Sequence, residues 1–432
     1  MSITRLGTAS MYDRTINNIS KQQSELASQM EHATAGKSVL RASDDPVAAA
    51  QAERARTRLT RIETDQRQLD AQTATITYGE STLGDINSTL QQFRSLVVNA
   101  GNGVFNQTQR DTLVEQLQSL RDRILSYTNR KDSNGLPLFR GLDTSSDMPF
   151  SNGTSNIQSG QPNSNEYTIT NSLNGALAFF SGKTGNGVLA SEIGSANKGT
   201  AWADVGVIKD PSAATALIDP KQMQVALSVD ATGNTSYQLF EVDTSVTPNT
   251  STPVALKKID GTPMLDNQTP PQPVYSAPYK SGDAIYVAGM ALTITGKPQN
   301  GDTFTVKPSE DMSIFETLDQ AIATVKNNGN SDGSTNSGAL AHGLAKSLAQ
   351  IDTQLNRVST VRGVAGDLLN QAERMGTTLA ARSEQMETQR SAAEDLDMVA
   401  ALSELKTQET AVSAALQSYA SIQKLSLFNY IN

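Results

Sequence analysis

Two stretches at opposite ends of the chain repeat their apolar residues at alternating steps of four and three, and they constrain the fold more than anything between them. At the front, Tyr12, Ile16, Ile19, Gln23, Leu26, Met30 and Ala33 form a heptad seam. At the back, Met398, Leu402, Leu405, Val412, Leu416 and Tyr419 share one helical face, which Ala401, Ala415 and Ile422 widen. From Met398 onward there is no Gly or Pro, and the charged side chains are Glu404, Lys406, Glu409 and Lys424. The segment closes on Leu425, Leu427, Phe428, Tyr430 and Ile431, where chain ends are usually polar and frayed. An end this apolar needs a surface to bury against, in its own chain or another. Either stretch alone would more commonly be an amphipathic helix lying on a globular core. The same pattern at both ends favours helices that pair. The residues expected to carry contacts are Tyr12, Ile16, Ile19, Leu26 and Met30 in front, and Met398, Leu402, Leu405, Val412, Leu416, Tyr419, Ile422, Leu425, Leu427 and Phe428 behind.

Proline divides what lies between. Of 15 Pro, only Pro46 and Pro137 precede Pro149 and none follows Pro308. The flanks are rich in Gln, Ala and Leu; the middle is rich in Gly, Pro and Thr. The expected fold is mainly α, with long paired terminal helices, a helical bundle and an inserted all-β domain. The expected division is 1–42 with 395–432, 43–141 with 309–394, and 142–308.

Local signals fill in this outline. In SDDPVAAAQA (Ser43–Ala52), Asp45 and Pro46 read as N-cap and first helical residue, not as a metal or acid/base pair. The helix that follows places Ile62, Leu69, Ile76, Leu83, Leu90 and Val97 at seven-residue intervals. Its other seam line is mostly polar: Leu59, Gln66, Thr73, Glu80, Asn87 and Arg94. The pattern predicts a narrow packed stripe with a wet flank over roughly 60 Å. Arg54, Arg56, Arg58 and Arg61 form a basic cluster on it, expected to face solvent or a neighbouring subunit. A helix is expected over about 108–128, with Leu113, Leu117, Leu120 and Ile124 inward. Asn134-Gly135 predicts a two-residue hairpin turn beside Leu136, Leu138 and Phe139. Alternation at 225–229 and 237–241, and again at 290–294 and 304–306, predicts antiparallel hairpins. Ser313 and Glu316 form a capping box, and a final long helix carries Leu344, Leu348, Ile351, Leu355, Val358, Ala365, Leu369, Ala372, Leu379 and Met386 on a 4-3 lattice.

Net charge is −9 and there is no Cys. The acidic balance argues against nucleic acid, and the missing thiols remove disulfides and thiolate sites. His32 and His342 are read as solvated helix residues. No nucleophile–base pair, cofactor loop or metal cluster stands out, so no enzyme and no cofactor is expected. No membrane span is expected either, and charges from Arg5 to Glu25 interrupt any secretory signal core.

GKSVLRASDDPVAAAQA (Gly36–Ala52), SNGLPLFRG (Ser133–Gly141), GMALTITGKPQNGDTFTVKPS (Gly289–Ser309), IFETLDQAI (Ile314–Ile322) and the closing LSLFNYI, taken in that order, resemble the flagellin-like family, and within it the hook-associated protein 3 group of hook–filament junction proteins. The stretch from about 145 to 288 carries no part of the resemblance. The resemblance implies a tube layer of paired terminal helices, a helical bundle with a hairpin around it, and a β domain pointing outward. It implies a secreted structural subunit of the bacterial flagellum, exported unfolded through the flagellar type III apparatus. The implied partners are further copies of itself in a ring, the first hook-associated protein, flagellin, and a cytoplasmic export chaperone. Flagellin forming the filament itself is the nearest alternative. A surface enzyme or adhesin whose activity lies in 142–308 is the alternative from another class.

Overall fold

The computed structural model describes residues 8–102, 106–144, 150–151, 154–155, 168–247, 249–327 and 337–428, with the side chains of 8–12, 151, 154–155 and 422–428 outside that description. The described helices are α1 (Thr8–Ala35), α2 (Pro46–Ala100), α3 (Gln107–Thr128), α4 (Gly175–Phe179), α5 (Pro211–Ala216), α6 (Ile314–Lys326), α7 (Ser337–Glu394) and α8 (Met398–Phe428). The chain falls into two compact units, residues 1–69 with 374–432, and residues 70–373. These boundaries lie inside α2 and α7. The division expected from sequence instead followed helix breaks and the limits of the β-rich stretch.

The first unit holds α1, α8, the front of α2 and the back of α7. α2 starts where the sequence predicts. Asp45 Oδ1 accepts from the amides of Val47 (2.9 Å) and Ala48 (3.0 Å), satisfying two donors that have no helical partner. Asp44 works elsewhere: its Oδ2 accepts from Leu40 N and Arg41 N at 3.1 and 2.8 Å, closing the loop before α2.

The second unit contains the remainder. Ile76, Leu83, Leu90 and Val97 of α2 are buried as predicted, but Thr82, Ile86, Thr89 and Phe93 are buried beside them. The packed face here is therefore broader than the narrow stripe expected. The polar line of the heptad finds partners on α7, which runs antiparallel. Glu80 Oε1 accepts from Arg362 Nε at 2.6 Å, Asn87 Nδ2 donates to Ser359 Oγ at 3.1 Å, and Arg94 Nε meets Asp352 Oδ1 at 2.7 Å. α3 is closed by an Asn106–Gln109 capping box and turns Val114, Leu117, Leu120, Ile124 and Thr128 inward; Leu113 is only half-buried. The turn after it is not the two-residue type. Asp132 N donates to Leu136 O (2.8 Å), Gly135 has φ +78° and Asn134 keeps a negative φ, so three residues make the loop. Beyond it, Phe139 and Phe150 both meet Phe179 edge-on, with centroids 5.3 Å apart.

The inserted strands are β1 (Phe150–Ser151), β2 (Thr154–Ser155), β3 (Gly182–Lys183), β4 (Leu189–Ile193), β5 (Trp202–Ala203), β6 (Val207–Ile208), β7 (Lys221–Val229) and β8 (Thr235–Asp243). They continue with β9 (Thr250–Val254), β10 (Ser276–Pro278), β11 (Ala284–Val287), β12 (Met290–Thr295), β13 (Thr303–Pro308) and β14 (Asp311–Met312). One sheet runs β10-β8-β7-β13-β4 with β9 also on β8; another runs β11-β12-β5 with β6 on β12. Val225, Leu239, Phe304 and Val306 of the first sheet and Ile285, Leu292 and Ile294 of the second share one buried core. The β7–β8 hairpin is as predicted, with Val229 opposite Thr235. β12 and β13 do not form a hairpin. They lie in different sheets, β13 pairing with β7 and β4. The hairpin partner of β12 is β11, through a two-residue turn at Ala288 and Gly289, both with positive φ (46° and 80°). Ala-Gly is a weaker turn signal than Asn-Gly, which is why the sequence hides it.

His342 is also corrected. It is 4% exposed, not solvated, and its Nδ1 lies 2.8 Å from Ala203 O. Burial lowers its pKa. The capping box at α6 is present as predicted, Ser313 N to Glu316 Oε2 at 2.8 Å and Glu316 N to Ser313 Oγ at 3.0 Å.

Candidate assembly interface

Within the first unit, α1 and α8 pair antiparallel. Leu396 N donates to Gly36 O at the joint, and further along Gln408 Nε2 reaches Glu25 Oε2 at 3.3 Å, so α8 advances as α1 recedes. On α8 the inward line is Ala401, Leu405, Gln408, Val412, Ala415 and Tyr419, all buried or half-buried. On α1 it is Thr15, Ile19, Gln22, Leu26, Gln29 and Ala33. Both lines step by four and three, as two packed helices require.

The structure splits the expected front seam. Ile19, Leu26 and Ala33 face α8 as predicted, whereas Ile16, Gln23 and Met30 fall on the outer flank. Their places are taken by Thr15, Gln22 and Gln29. The two flanks bracket the same central row, and one partner helix covers only one of them. Burying the polar flank has a consequence: Gln22 Oε1 and Gln29 Oε1 are sealed from solvent without a hydrogen-bond partner.

The back seam divides likewise. Leu405, Val412 and Tyr419 turn inward, while Met398, Leu402 and Leu416 are exposed. The outer faces thus carry Ile16 at 49%, Met30 at 50%, Leu402 at 51% and Leu416 at 44% exposure, against 9% for Ile19 and 7% for Val412. Tyr12, Ile422, Leu425, Leu427 and Phe428 lie within helix α1 or α8, but their side chains fall outside the described residues.

The joint at the base of the pair was missed by sequence reasoning. Ser38 N and Ser38 Oγ both donate to Glu394 O, at 2.8 and 3.1 Å, and Lys37 bridges Asp395 in a short antiparallel pairing. The Glu394 side chain is 5% exposed and gathers Lys37 of the loop, Arg56 of α2 and Arg390 of α7 (3.4 Å). Burial opposes its charge, but hydrogen bonds from Lys37 and Arg56 outweigh it, so its carboxyl titrates below the usual 4.5. No local signal in the sequence marks this cluster, because Lys37 and Arg56 lie more than 330 positions from Glu394.

Among the described residues, no group of three or more His, Cys, Asp or Glu is placed to hold a metal, and no helix is long and apolar enough to cross a membrane.

The bacterial flagellin N-terminal helical region matches residues 7–144, and the bacterial flagellin C-terminal helical region matches residues 348–431. Together these take in just over half of the 432 residues. The chain belongs to the flagellin-like family. Among curated relatives, flagellar hook-associated protein 3 of Salmonella typhimurium is 29% identical over 189 residues, 42% of this chain and 55% of that protein. Flagellin of Bacillus subtilis is 30% identical over a shorter 129 residues, 29% of this chain and 42% of that protein. The chain therefore spans about half the length of the curated relatives it matches. Among solved structures, the flagellar junction protein FlgL of Legionella pneumophila is 26% identical with a TM-score of 0.60, covering 74% of this chain and 99% of that one.

Proposed function

We propose that this chain is a structural subunit of the bacterial flagellum that joins the hook to the flagellin filament by assembling through its terminal helices. The observation that carries the proposal is the division of α1 and α8 into two kinds of flank. The intramolecular pair half-buries Thr15, Gln22 and Gln29 and leaves Ile16, Met30, Leu402 and Leu416 exposed. A pair serving only its own chain would gain by burying the apolar flank, at about 1.5–3 kcal/mol per large side chain. An apolar flank kept outside fits neighbouring subunits that cover it on assembly. The longer match to hook-associated protein 3 than to flagellin supports the junction over the filament as its place.

In this reading residues 1–42 with 395–432 line the inner layer of the tube, 43–141 with 309–394 form the layer around them, and 142–308 face outward. The assembly residues are Tyr12, Ile16, Ile19, Leu26 and Met30 with Met398, Leu402, Leu405, Val412, Leu416, Tyr419, Ile422, Leu425, Leu427 and Phe428. Partners are further copies in a ring, the first hook-associated protein on one side and flagellin on the other. Before assembly, the chain is carried by an export chaperone and leaves through the flagellar type III apparatus. The test is a strain lacking this gene. It should build hooks, carry no filaments and shed flagellin monomer into the medium. Intact filaments would refute the junction reading, and intact hooks with no flagellin made or exported would assign the chain elsewhere.

A further inference from the structure

The arginine cluster on α2 is not all spent within the chain. Arg56 is tied to Glu394, but Arg54, Arg58 and Arg61 are exposed and, among the described residues, have no carboxylate within ion-pair reach. They stand at steps of four and three, one row along a single helical face. Arg54 and Arg58 line a groove of about 400 Å³ together with Ala55 of α2 and Gln389, Ala392 and Ala393 of α7. The alanines leave room for the ridge of another helix, and the guanidinium groups stand at its edge.

One helix of the chain presents the complementary row. On α3, Asp111, Glu115, Gln118 and Asp122 are exposed at steps of four, three and four, while Val114, Leu117, Leu120 and Ile124 fill the buried face. Asp111 accepts from Gln107 of its own helix at 2.9 Å. Asp122 lies 3.3 Å from Arg121 with its side chain 72% exposed, so the row stays open to a partner. The two rows belong to different compact units and both face solvent. Asp111 and Glu115 repeat the four-residue step of Arg54 and Arg58, a climb of about 6 Å on either helix; at the next step Arg61 stands opposite Gln118, and Asp122 lies a further turn along.

We propose that α3 of a second copy of this chain docks along this groove with Asp111 and Glu115 against Arg54 and Arg58, while Arg61 and Asp122 extend the two charged rows beyond it. This is a lateral contact separate from the terminal helices. It rests on the reading of the chain as an assembling flagellar subunit and names a surface that neighbouring subunits use. Charged rows of opposite sign fix register and orientation between copies, a task an apolar flank alone does poorly because apolar contact is non-directional.

Charge exchange tests it in the full chain, expressed from its own locus and measured as the amount recovered in purified flagella. R54E/R58E/R61E and, separately, D111R/E115R/D122R should each lower recovery by on the order of tenfold. The chain carrying all six changes should recover to within about threefold of wild type, because coupled sites compensate. Unchanged recovery in both triple variants, or a six-fold variant no better than either, overturns the proposal. If a triple variant loses its cooperative melt, the absence of native Cys supplies the deciding experiment. R58C and E115C in one chain should give covalent dimers in flagella treated with a flexible thiol-to-thiol cross-linker, and each single variant should give none. No dimer from the pair overturns the contact. Absence of the wild-type chain from flagella would instead sink the junction reading itself.

Discussion

Glu394→Ala removes the carboxylate shared by Lys37, Arg56 and Arg390 at the base of the terminal pair. Breaking a buried ion pair from one side costs about 3–5 kcal/mol. Here the cost is smaller, because Lys37 and Arg56 are 38% and 45% exposed and can turn to water, and Arg390 keeps Glu387 at 2.8 Å and Asp395 at 3.1 Å. An estimate of about 2 kcal/mol follows, which is about thirtyfold in the opening equilibrium of the joint. Native-state hydrogen exchange reads it locally, since the amides of Ser38 and Leu396 donate to Glu394 O and Gly36 O. Both should exchange about thirtyfold faster in the variant. The pH dependence has a definite sign. The folded carboxyl titrates below 4.5, so the unfolded chain binds the proton first as pH falls. The stabilisation is complete above the unfolded value and is lost as pH falls through the lower folded one. Glu394→Gln should remove that acid sensitivity. Exchange at Ser38 and Leu396 within about threefold of wild type would refute the reasoning, because the pairing geometry would then owe nothing to the charge.

The seam assignment predicts that Ile19→Ala costs about 2 kcal/mol in the isolated chain, at the low end for a buried Ile because the pair is only two helices thick. Ile16→Ala should cost under about 0.5 kcal/mol; a larger loss at Ile16 in urea melts would show that the outer flank is the packed one. His342 is buried neutral and its pKa is lowered, whereas the unfolded chain takes up that proton near the ordinary 6.5. The unit containing it should lose stability as pH falls below about 6.5, and His342→Gln should flatten that slope; an unchanged slope in the variant would assign the titration to another group.

Local signals in this sequence were reliable where one short segment suffices. Asp45 with Pro46, and Ser313 with Glu316, act through neighbours two or three residues away, so their caps were readable directly. The seven-residue line from Leu69 to Val97 was readable because a helix states its own buried face. The rest depends on which partner arrives. Ile16 and Met30 continue the heptad as well as Gln22 and Gln29 do by spacing, and only the position of α8 decides which flank is covered. Glu394 meets Lys37 and Arg56 across more than 330 positions of sequence, with no local mark. β12 and β13 are adjacent and alternate alike, yet the sheets claim them separately. His342 looks like any polar helix residue until Ala203 is brought against it.

The central claim is that the outer flank of α1 and α8 is reserved for neighbouring subunits. The most direct measurement is the content of this chain in purified flagella when Leu402→Asp and Leu416→Asp are introduced together. Both side chains are exposed in the isolated chain, so its melt should be unchanged, but burying two carboxylates between subunits is strongly unfavourable. The account predicts a folded chain absent from flagella and flagellin monomer in the medium. Normal content with intact filaments would contradict it.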